Sequence, residues 1–307
     1  MNEPSIKPQI ASKAQLTSLL DNDVLARLER MRLKPRRRLT NRSQGEHLAG
    51  KGGSSIEFSD YRDYAPGDDM RYVDWNVFSR LHRPYVKQYQ YEEEMHVTIL
   101  IDASSSMQYE DKFLRAKQMA AAFGLMGLLN VERVSVYSCN HTGQRPVFLP
   151  PCTGRANMSR LFEFLERLEA GGDFPVEQAV EAVLARHRGR GIAVVLSDFL
   201  TFGDLTRPLN LLYSAGLEVC AVQILGPSEI DPELTGDLRF VDSETGHTLD
   251  VSSVGDLLGI YHQHRLSLEE ELAQHCRSRS GRFLAISARD SLSWVLFDLL
   301  RRRGWVQ

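Results

Sequence analysis

The sequence predicts an α/β fold in which a mostly parallel central sheet is covered by helices on both faces. Residues 97–101 and 192–196 are near-continuous apolar runs of strand length, which is typical of strands buried on both faces. From residue 96 onward, segments of helical periodicity alternate with such strands, which indicates crossover connections between parallel strands. Of the 307 residues, 42% are hydrophobic and 25% are charged, so the chain has enough apolar side chain to form a sizeable core.

We divide the chain into three parts. Residues 1–40 contain a basic linker and, over about 13–31, apolar residues at the spacing of an amphipathic helix. Residues 41–95 are rich in Gly, Ser, Tyr and Asp, with short β-like runs, and so form a β-rich segment. Residues 96–307 form the sheet domain, with a β-hairpin insertion near 236–252.

The elements of the sheet domain follow from the apolar periodicity along the chain. Strands are expected at 96–101, 134–138, 145–149, 192–196, 218–225 and 282–286. Helices are expected at 111–130, 157–169, 175–188, 203–214, 257–280 and 291–303.

Composition and charge exclude several classes of protein. With 37 Lys and Arg against 40 Asp and Glu, the net charge is −3, so we expect no nucleic-acid partner. The basic cluster over residues 32–42 is then interpreted as a solvated helix end and linker. The four cysteines form no CxxC pair, which argues against a zinc finger or a disulfide scaffold. The chain shows no signal peptide and no apolar run near the roughly 20 residues of a membrane span, so we expect a cytoplasmic protein with no integral membrane segment.

Oxygen-bearing side chains follow two of the predicted buried strands. Asp102, Ser104 and Ser106 come after the first strand, and Asp198 comes after the strand at 192–196. In open α/β sheets, ligands bind outside the carboxyl ends of the strands, so these side chains converge if the two strands are neighbours. Such hard oxygen donors suit Mg²⁺. The alternative for the Asp-x-Ser-x-Ser string is a helix N-cap.

The string Asp102-x-Ser104-x-Ser106 resembles the metal-ion-dependent adhesion site of von Willebrand factor A domains. A longer pattern over 61–64 and 67–75 (Tyr-Arg-Asp-Tyr, then Gly-Asp-Asp-Met-Arg-Tyr-Val-Asp-Trp) resembles the signature of the bacterial family called domain of unknown function 58. Further matches to that family are Gly45, His47, Gly50, Gly52, Gly53, Tyr85, Val86, Lys87, Glu92, Glu93 and Glu94. The resemblance covers about residues 40–240 and implies a Rossmann-like von Willebrand A domain with an added β-rich segment.

The resemblance implies one further metal ligand, where this chain departs from the pattern. A von Willebrand A domain usually supplies a Thr from a Gly-Gly-Thr-like string, whereas residues 171–173 here read Gly-Gly-Asp. Asp173 is therefore either a ligand, direct or through water, or a cap for the helix that starts at Pro175. The metal set implied by the resemblance is Asp102, Ser104, Ser106, Asp173 and Asp198, of which Asp198 is expected to act through a bound water or from outside the direct ligands. The expected ion is Mg²⁺, with Mn²⁺ or Ca²⁺ as alternatives.

The function implied is a non-enzymatic, metal-dependent protein–protein interaction module, in which a partner's carboxylate completes the metal's coordination. The resemblance suggests a MoxR-type AAA+ ATPase as partner, in the assembly or maturation of protein complexes. The alternative is a metal-dependent hydrolase or phosphatase on a Rossmann-like sheet. Enzymes that form an aspartyl-phosphate need a second carboxylate two positions on, where this chain has Ser104.

The charged and aromatic segment 61–75 has two interpretations. Its Tyr, Arg, Asp and Trp side chains form either an exposed recognition surface or a buried polar network that holds the β segment. We favour the network, and a double-mutant cycle on Arg71 and Asp74 would test it.

Overall fold

A six-stranded sheet forms the centre of the computed structural model. The structure describes residues 15–36, 40–41, 56–92, 95–140, 143–173, 176–187, 189–200, 204–232, 238–241, 243, 246–251 and 254–307. In chain order the strands are β1 Thr40–Asn41, β2 Ile56–Asp63, β3 Tyr85–Glu92, β4 His96–Asp102, β5 Arg133–Cys139, β6 Val147–Cys152, β7 Gly191–Ser197, β8 Leu217–Leu225, β9 Leu238–Val241, β10 Thr248–Val251 and β11 Arg282–Ser287. The α-helices are α1 Asn22–Leu28, α2 Trp75–Leu81, α3 Lys112–Leu129, α4 Met158–Glu166, α5 Val176–Arg186, α6 Thr206–Ser214, α7 Pro227–Ile230 and α8 Val254–Ser278, followed by a last helical segment with a π-helical turn at Val295–Leu299.

The strand order of the central sheet is β11-β8-β7-β4-β5-β6. All neighbours are parallel except β6, which runs antiparallel to β5. The strand β4 lies between β5 and β7, and Ile101 is paired with Leu196. The predicted fold class is therefore confirmed, and the carboxyl ends of the two strands that precede the candidate site are adjacent.

Helices cover both faces of this sheet because the strands are apolar on both sides. Every residue of β7 and β8 is buried. One hydrophobic core contains α1, α3, α4 and the last helical segment, and a second core contains α5, α6 and part of α8. The helix α3 contributes Ala116, Met119 and Phe123 to the first core, at the helical spacing that predicted it.

The N-terminal helix is shorter than the prediction of 13–31, since α1 begins only at Asn22. Residues 13 and 14 of that prediction lie outside the described residues. Before α1, the Thr17 hydroxyl and the Ser18 backbone N–H both donate to Glu166 Oε1, at 2.6 and 2.7 Å. Such hydrogen bonds compete with helical ones. Leu19 and Leu20 are buried nonetheless, so the apolar residues of this segment reach the core without a helix.

The segment after α1 packs against the end of the chain. Arg32 and Gln307 exchange two backbone hydrogen bonds of 3.0 Å. Farther along, the backbone N–H of Arg36 donates to Glu218 Oε2 at 2.6 Å and its guanidinium donates to Gly281 O. This part of the basic cluster is therefore in contact with the sheet domain. Arg37, Arg38 and Arg42 lie outside the described residues.

Two small antiparallel sheets accompany the central one. One has the order β1-β3-β2, within the β-rich segment, and the other pairs β9 with β10 at the predicted hairpin. Between β2 and β3 the chain forms α2, whose N-cap Asp74 accepts hydrogen bonds from the backbone of Asn76 and Val77.

Candidate metal site

The carboxylate of Asp102 lies where β4 and β7 end together. Asp102 is 2% exposed, and its two oxygens are held from different sides. The backbone N–H of Ser104 donates to Oδ1 at 2.9 Å, and the hydroxyl of Ser197 donates to Oδ2 at 2.5 Å. The carboxylate is thus fixed by its own loop and by the last residue of the neighbouring strand.

The hydroxyls of Ser104 and Ser106 belong to the same loop and form a hydrogen bond with each other, with their Oγ atoms 3.0 Å apart. Two neighbouring ligands of an octahedral ion with metal–oxygen distances of about 2.0–2.1 Å are separated by about 2.9 Å. The spacing of this pair therefore fits Mg²⁺ or an ion of similar size. The turn that follows has Ser105 as its N-cap, and no side-chain capping hydrogen bond is formed there. The Asp102 carboxylate does accept from the backbone of Ser104 two residues on, which is the kind of hydrogen bond that a capping side chain forms.

A second loop is fastened to this one by its backbone. The N–H of Gly171 donates to Ala103 O at 2.7 Å, and the N–H of Ser105 donates to Gly172 O at 2.8 Å. Gly172 has φ of 77°, a left-handed conformation that favours glycine. The next residue, Asp173, is partly buried, and the two hydrogen bonds place the backbone just before it beside the candidate loop.

The carboxylate of Asp198 has a different partner from the one the sequence suggested. Asp198 is 3% exposed, and its Oδ2 lies 2.8 Å from the ammonium nitrogen of Lys112. Its Oδ1 accepts a hydrogen bond of 3.1 Å from the backbone of Leu200. Lys112 is fully buried and also contacts the Glu229 carboxylate. Lys112 therefore lies between two carboxylates, those of Asp198 and Glu229.

A break in the helical backbone directly precedes Lys112. The short 3₁₀ turn after Ser106 is separated from α3 by Glu110 and Asp111, which have φ of 49° and 60°. Positive φ is strained for such residues and is often found at functional sites. The Glu110 carboxylate accepts a hydrogen bond from the backbone of Ser228 at 3.0 Å, which holds the break in place.

Burial and charge shift the ionisation of these groups. Burial and the nearby Asp198 carboxylate raise the pKa of Asp102 to about 7, although the Ser197 and Ser104 hydrogen bonds oppose the rise. Burial lowers the pKa of Lys112, but the charges of Asp198 and Glu229 outweigh it and raise the pKa above its ordinary value. At neutral pH Lys112 is therefore a cation, and a positive charge near Asp102 would favour its ionised form.

The structure brings Asp102, Ser104, Ser106 and Asp198 to one edge of the sheet and places Asp173 in the adjoining loop. Within the described part of the chain, no three His, Cys, Asp or Glu side chains cluster as a metal site by themselves. A metal at this edge would thus depend on the serine hydroxyls.

Sequence reasoning missed three residues of this edge: Lys112, Ser197 and Glu229. The sequence did contain a signal for Lys112, because this residue lies on one helical stripe with Ala116, Met119 and Phe123, all of them buried.

Some residues of segment 61–75 fit the buried network and others fit the exposed surface. A partly buried network is present, in which Arg62 pairs with Asp68 at 2.6 Å, and Asp74 accepts from the Tyr61 hydroxyl at 2.9 Å and pairs with Lys87 at 3.1 Å. Arg71 and Trp75, in contrast, are exposed. The partner of Arg71 is Asp69 at 2.5 Å and not Asp74, so the Arg71–Asp74 cycle would test a contact that the structure does not form.

In the described residues no helix is both long enough and apolar enough to span a membrane.

Several solved structures are distantly similar to the chain. They include the conserved hypothetical protein BatB of Bacteroides thetaiotaomicron, with a TM-score of 0.42 and 12% identity over 68% of this chain and 98% of that one. An aerotolerance-related membrane protein of Bacteroides fragilis gives 0.39 and 14% over 62% of this chain and 91% of that one. A mussel byssus thread matrix protein with a zinc-occupied adhesion-site motif gives 0.38 and 14% over 70% of this chain and 48% of that one. At such scores the likeness is too distant to transfer a function.

Curated relatives are more similar over the length of the chain. An uncharacterized protein of Mycobacterium tuberculosis is 29% identical over 295 residues, which is 92% of each chain. An uncharacterized protein of Mycobacterium avium is 30% identical over 130 residues, 41% of this chain and 75% of that one. The family model described as "Protein of unknown function DUF58" matches residues 60–265, which include β3, the candidate loop and five of the six strands of the central sheet. This chain therefore belongs to the DUF58 family.

Proposed function

We propose that this protein is a non-enzymatic interaction module that binds a partner's carboxylate through a divalent cation, most simply Mg²⁺. The observation that carries the proposal is the 3.0 Å separation of the Ser104 and Ser106 hydroxyls beside a buried Asp102. These three side chains would supply ligands of the ion, directly or through water, and Asp173 would supply a fourth from the adjoining loop. Remaining coordination positions are left to water or to an incoming carboxylate.

The chemistry of this donor set favours binding over turnover. Two of the three loop donors are neutral hydroxyls, so the ion keeps much of its charge and attracts a carboxylate from outside. The position two residues after Asp102, where an aspartyl-phosphate enzyme holds its acid, is the hydroxyl of fully buried Ser104. The partner that the family resemblance suggests is a MoxR-type AAA+ ATPase, acting in assembly or maturation of protein complexes.

Titration calorimetry tests the metal. We expect Mg²⁺ or Mn²⁺ to bind the wild type with a stoichiometry of about one, and Asp102→Ala to abolish that binding while the protein stays folded. The matched control is Asp290→Ala, because the Asp290 carboxylate only accepts from the backbone of Ser287 at another loop. Equal metal binding by wild type and Asp102→Ala would contradict the proposal.

A pull-down with a purified MoxR-type ATPase tests the partner. Binding is expected for the wild type and not for Asp102→Ala, both in the same Mg²⁺ buffer. Mg²⁺ is kept in both samples so that the magnesium bound with the nucleotide of the ATPase does not differ between them. Phosphatase turnover by the wild type that is lost in Asp102→Ala would instead support the hydrolase alternative.

A further inference from the structure

We propose that Lys112 is a built-in counter-cation that holds Asp198 outside the coordination sphere of the metal. The inference rests on the proposed metal site and assigns a positioning role within it. The ion is then bound by Asp102, Ser104 and Ser106 on one side of the strand ends, while the ammonium of Lys112 takes the place of the ion beside Asp198.

The contacts of Asp198 support this assignment because both carboxylate oxygens already have donors. Its Oδ2 lies 2.8 Å from Lys112 Nζ, and its Oδ1 accepts from Leu200 N at 3.1 Å. Its backbone carbonyl accepts from Gln223 Nε2 at 2.9 Å. The residue is held at three atoms, so turning the carboxylate toward an ion would break the contact with Lys112.

Lys112 is in turn held from its other side. Glu229 contacts the ammonium through Oε1, while its Oε2 accepts from Gly226 N at 2.7 Å. The backbone carbonyl of Glu229 accepts from the Tyr261 hydroxyl on α8, also at 2.7 Å. The side chain of Lys112 has an exposed fraction of 1%, so water could reach its ammonium only if this packing opened.

The charges explain what Lys112 does for the metal. The buried edge contains the carboxylates of Asp102, Asp198 and Glu229, and Lys112 is a cation in direct contact with two of them. Metal affinity in oxygen-ligand sites rises with the number of charged ligands. By neutralising Asp198, Lys112 lowers the affinity of the site and leaves the ion with charge to attract a partner's carboxylate.

The test is metal binding by Lys112→Met, measured by calorimetry with Mn²⁺ and Mg²⁺. We expect at least about tenfold tighter binding than in the wild type, because the freed Asp198 carboxylate becomes available to the ion. Since Lys112→Met leaves buried Asp198 and partly buried Glu229 without their shared cation, Lys112→Met/Glu229→Gln is prepared in parallel, which removes one of the two carboxylates and keeps Asp198. Both variants are checked for folding by circular dichroism.

Two control variants separate positioning from structural support. Lys112→Met/Asp198→Asn removes both partners, so metal binding is expected to return to the wild-type strength. Lys117→Met removes a positive charge from the same helix, where the ammonium contacts the Leu168 carbonyl instead of a carboxylate of the site, and is expected to leave affinity within about twofold. If the role of Lys112 is purely structural, Lys112→Met will lower the free energy of unfolding without tightening metal binding, and that result would overturn the proposal.

The outcome distinguishes this inference from the proposed function. If the wild type binds no metal but folded Lys112→Met or its double variant does, the metal-dependent function fails and the role of Lys112 stands. If the wild type binds metal and both folded variants bind it equally or more weakly, the function stands and the role of Lys112 fails. Absence of binding in all of them rejects both.

Discussion

The two ends of the central sheet each contain a buried ion pair, and the two pairs differ in how their charges are balanced. At the amino end, Arg282 Nε lies 3.1 Å from Glu218 Oε1, with both side chains less than 5% exposed. Arg282 also donates to the backbone carbonyls of Gly304 and Lys34, and Glu218 accepts from Arg36 N. The Glu218 carboxylate therefore has a cation beside it, and further guanidinium donors of Arg282 are bound by backbone carbonyls.

At the carboxyl end, carboxylates outnumber the cation. Lys112 alone contacts Asp198 and Glu229, while Asp102 is held only by neutral donors. The Arg282–Glu218 pair balances its charges, whereas the carboxyl end has three carboxylates, one lysine and the mutually hydrogen-bonded hydroxyls of Ser104 and Ser106. On the proposed function, a further cation at the carboxyl end would reduce this excess of negative charge.

The largest expected effect comes from removing the cation of the Arg282–Glu218 pair. Arg282→Met leaves Glu218 buried without its cation, so we expect the free energy of unfolding to fall by about 3–5 kcal/mol. Urea denaturation measures it, and calorimetry should show unchanged metal affinity. The double variant Arg282→Met/Glu218→Met should recover much of the loss. A loss below about 1 kcal/mol for the single variant would contradict the description of this pair.

The next effect concerns the hydroxyls of the unbalanced end. Ser104→Ala removes one proposed ligand from the 3.0 Å pair, and we expect metal affinity to fall more than about tenfold, or about 1.4 kcal/mol. Ser105→Ala is the matched control between the two ligand positions and is expected to bind as the wild type does. Equal effects of the two substitutions would remove the serines from the metal site.

Substitution of Asp173 decides between its two interpretations. As a ligand, Asp173→Ala is expected to weaken metal binding by about fivefold to tenfold, equivalent to roughly 1 kcal/mol, and Asp173→Thr to restore most of it because the hydroxyl supplies an oxygen. Calorimetry gives the affinities, and thermal unfolding without metal gives the contribution of capping. A change in unfolding alone would identify Asp173 as a helix cap.

The smallest effect concerns Glu132, a partly buried carboxylate at the amino end of the sheet. Burial raises the pKa of Glu132 from 4.5 to about 8, so the folded protein holds this proton more tightly than the unfolded chain does. Stability is therefore unaffected below pH 4.5 and is lost as pH rises toward 8. Glu132→Gln should raise the free energy of unfolding at pH 8 by on the order of 1 kcal/mol, and by nothing measurable at pH 4.

Urea titrations at the two pH values measure this difference. Glu181→Gln, at an exposed position of α5, is the control and should behave as the wild type does at both. A gain for Glu132→Gln that is the same at pH 4 and pH 8 would exclude ionisation as its cause.

The central sheet could be predicted because its strands are apolar on both faces and its helices show their periodicity. The ends of β4 and β7 could likewise be identified as the place for Asp102 and Asp198, since parallel strands bring their carboxyl ends to one edge. The helix at 13–31 was too long in the prediction because the periodicity of apolar residues does not reveal hydrogen bonds to Glu166, which is distant in sequence.

The environment of Asp198 could not be predicted, because it depends on residues far apart in the chain. Lys112 and Glu229 meet only after α3 and α7 have packed at the same edge. A lysine near the start of a helix is ordinarily exposed, so the place of Lys112 in the buried stripe was not recognised. Arg71 is a different case, because its partner Asp69 is only two residues away in the chain, whereas the double-mutant cycle pairs Arg71 with Asp74.

The position of the small sheet in the chain has a mechanical consequence. The chain leaves the sheet domain after Arg36, which contacts the start of β8, and re-enters it at Met95, directly before β4. The other end of β4 is Asp102. A pull between the small sheet and a partner held at the metal would pass along β4, whose hydrogen bonds to β5 and β7 run across the strand on both sides. Such a pull would load those bonds together in shear instead of one after another.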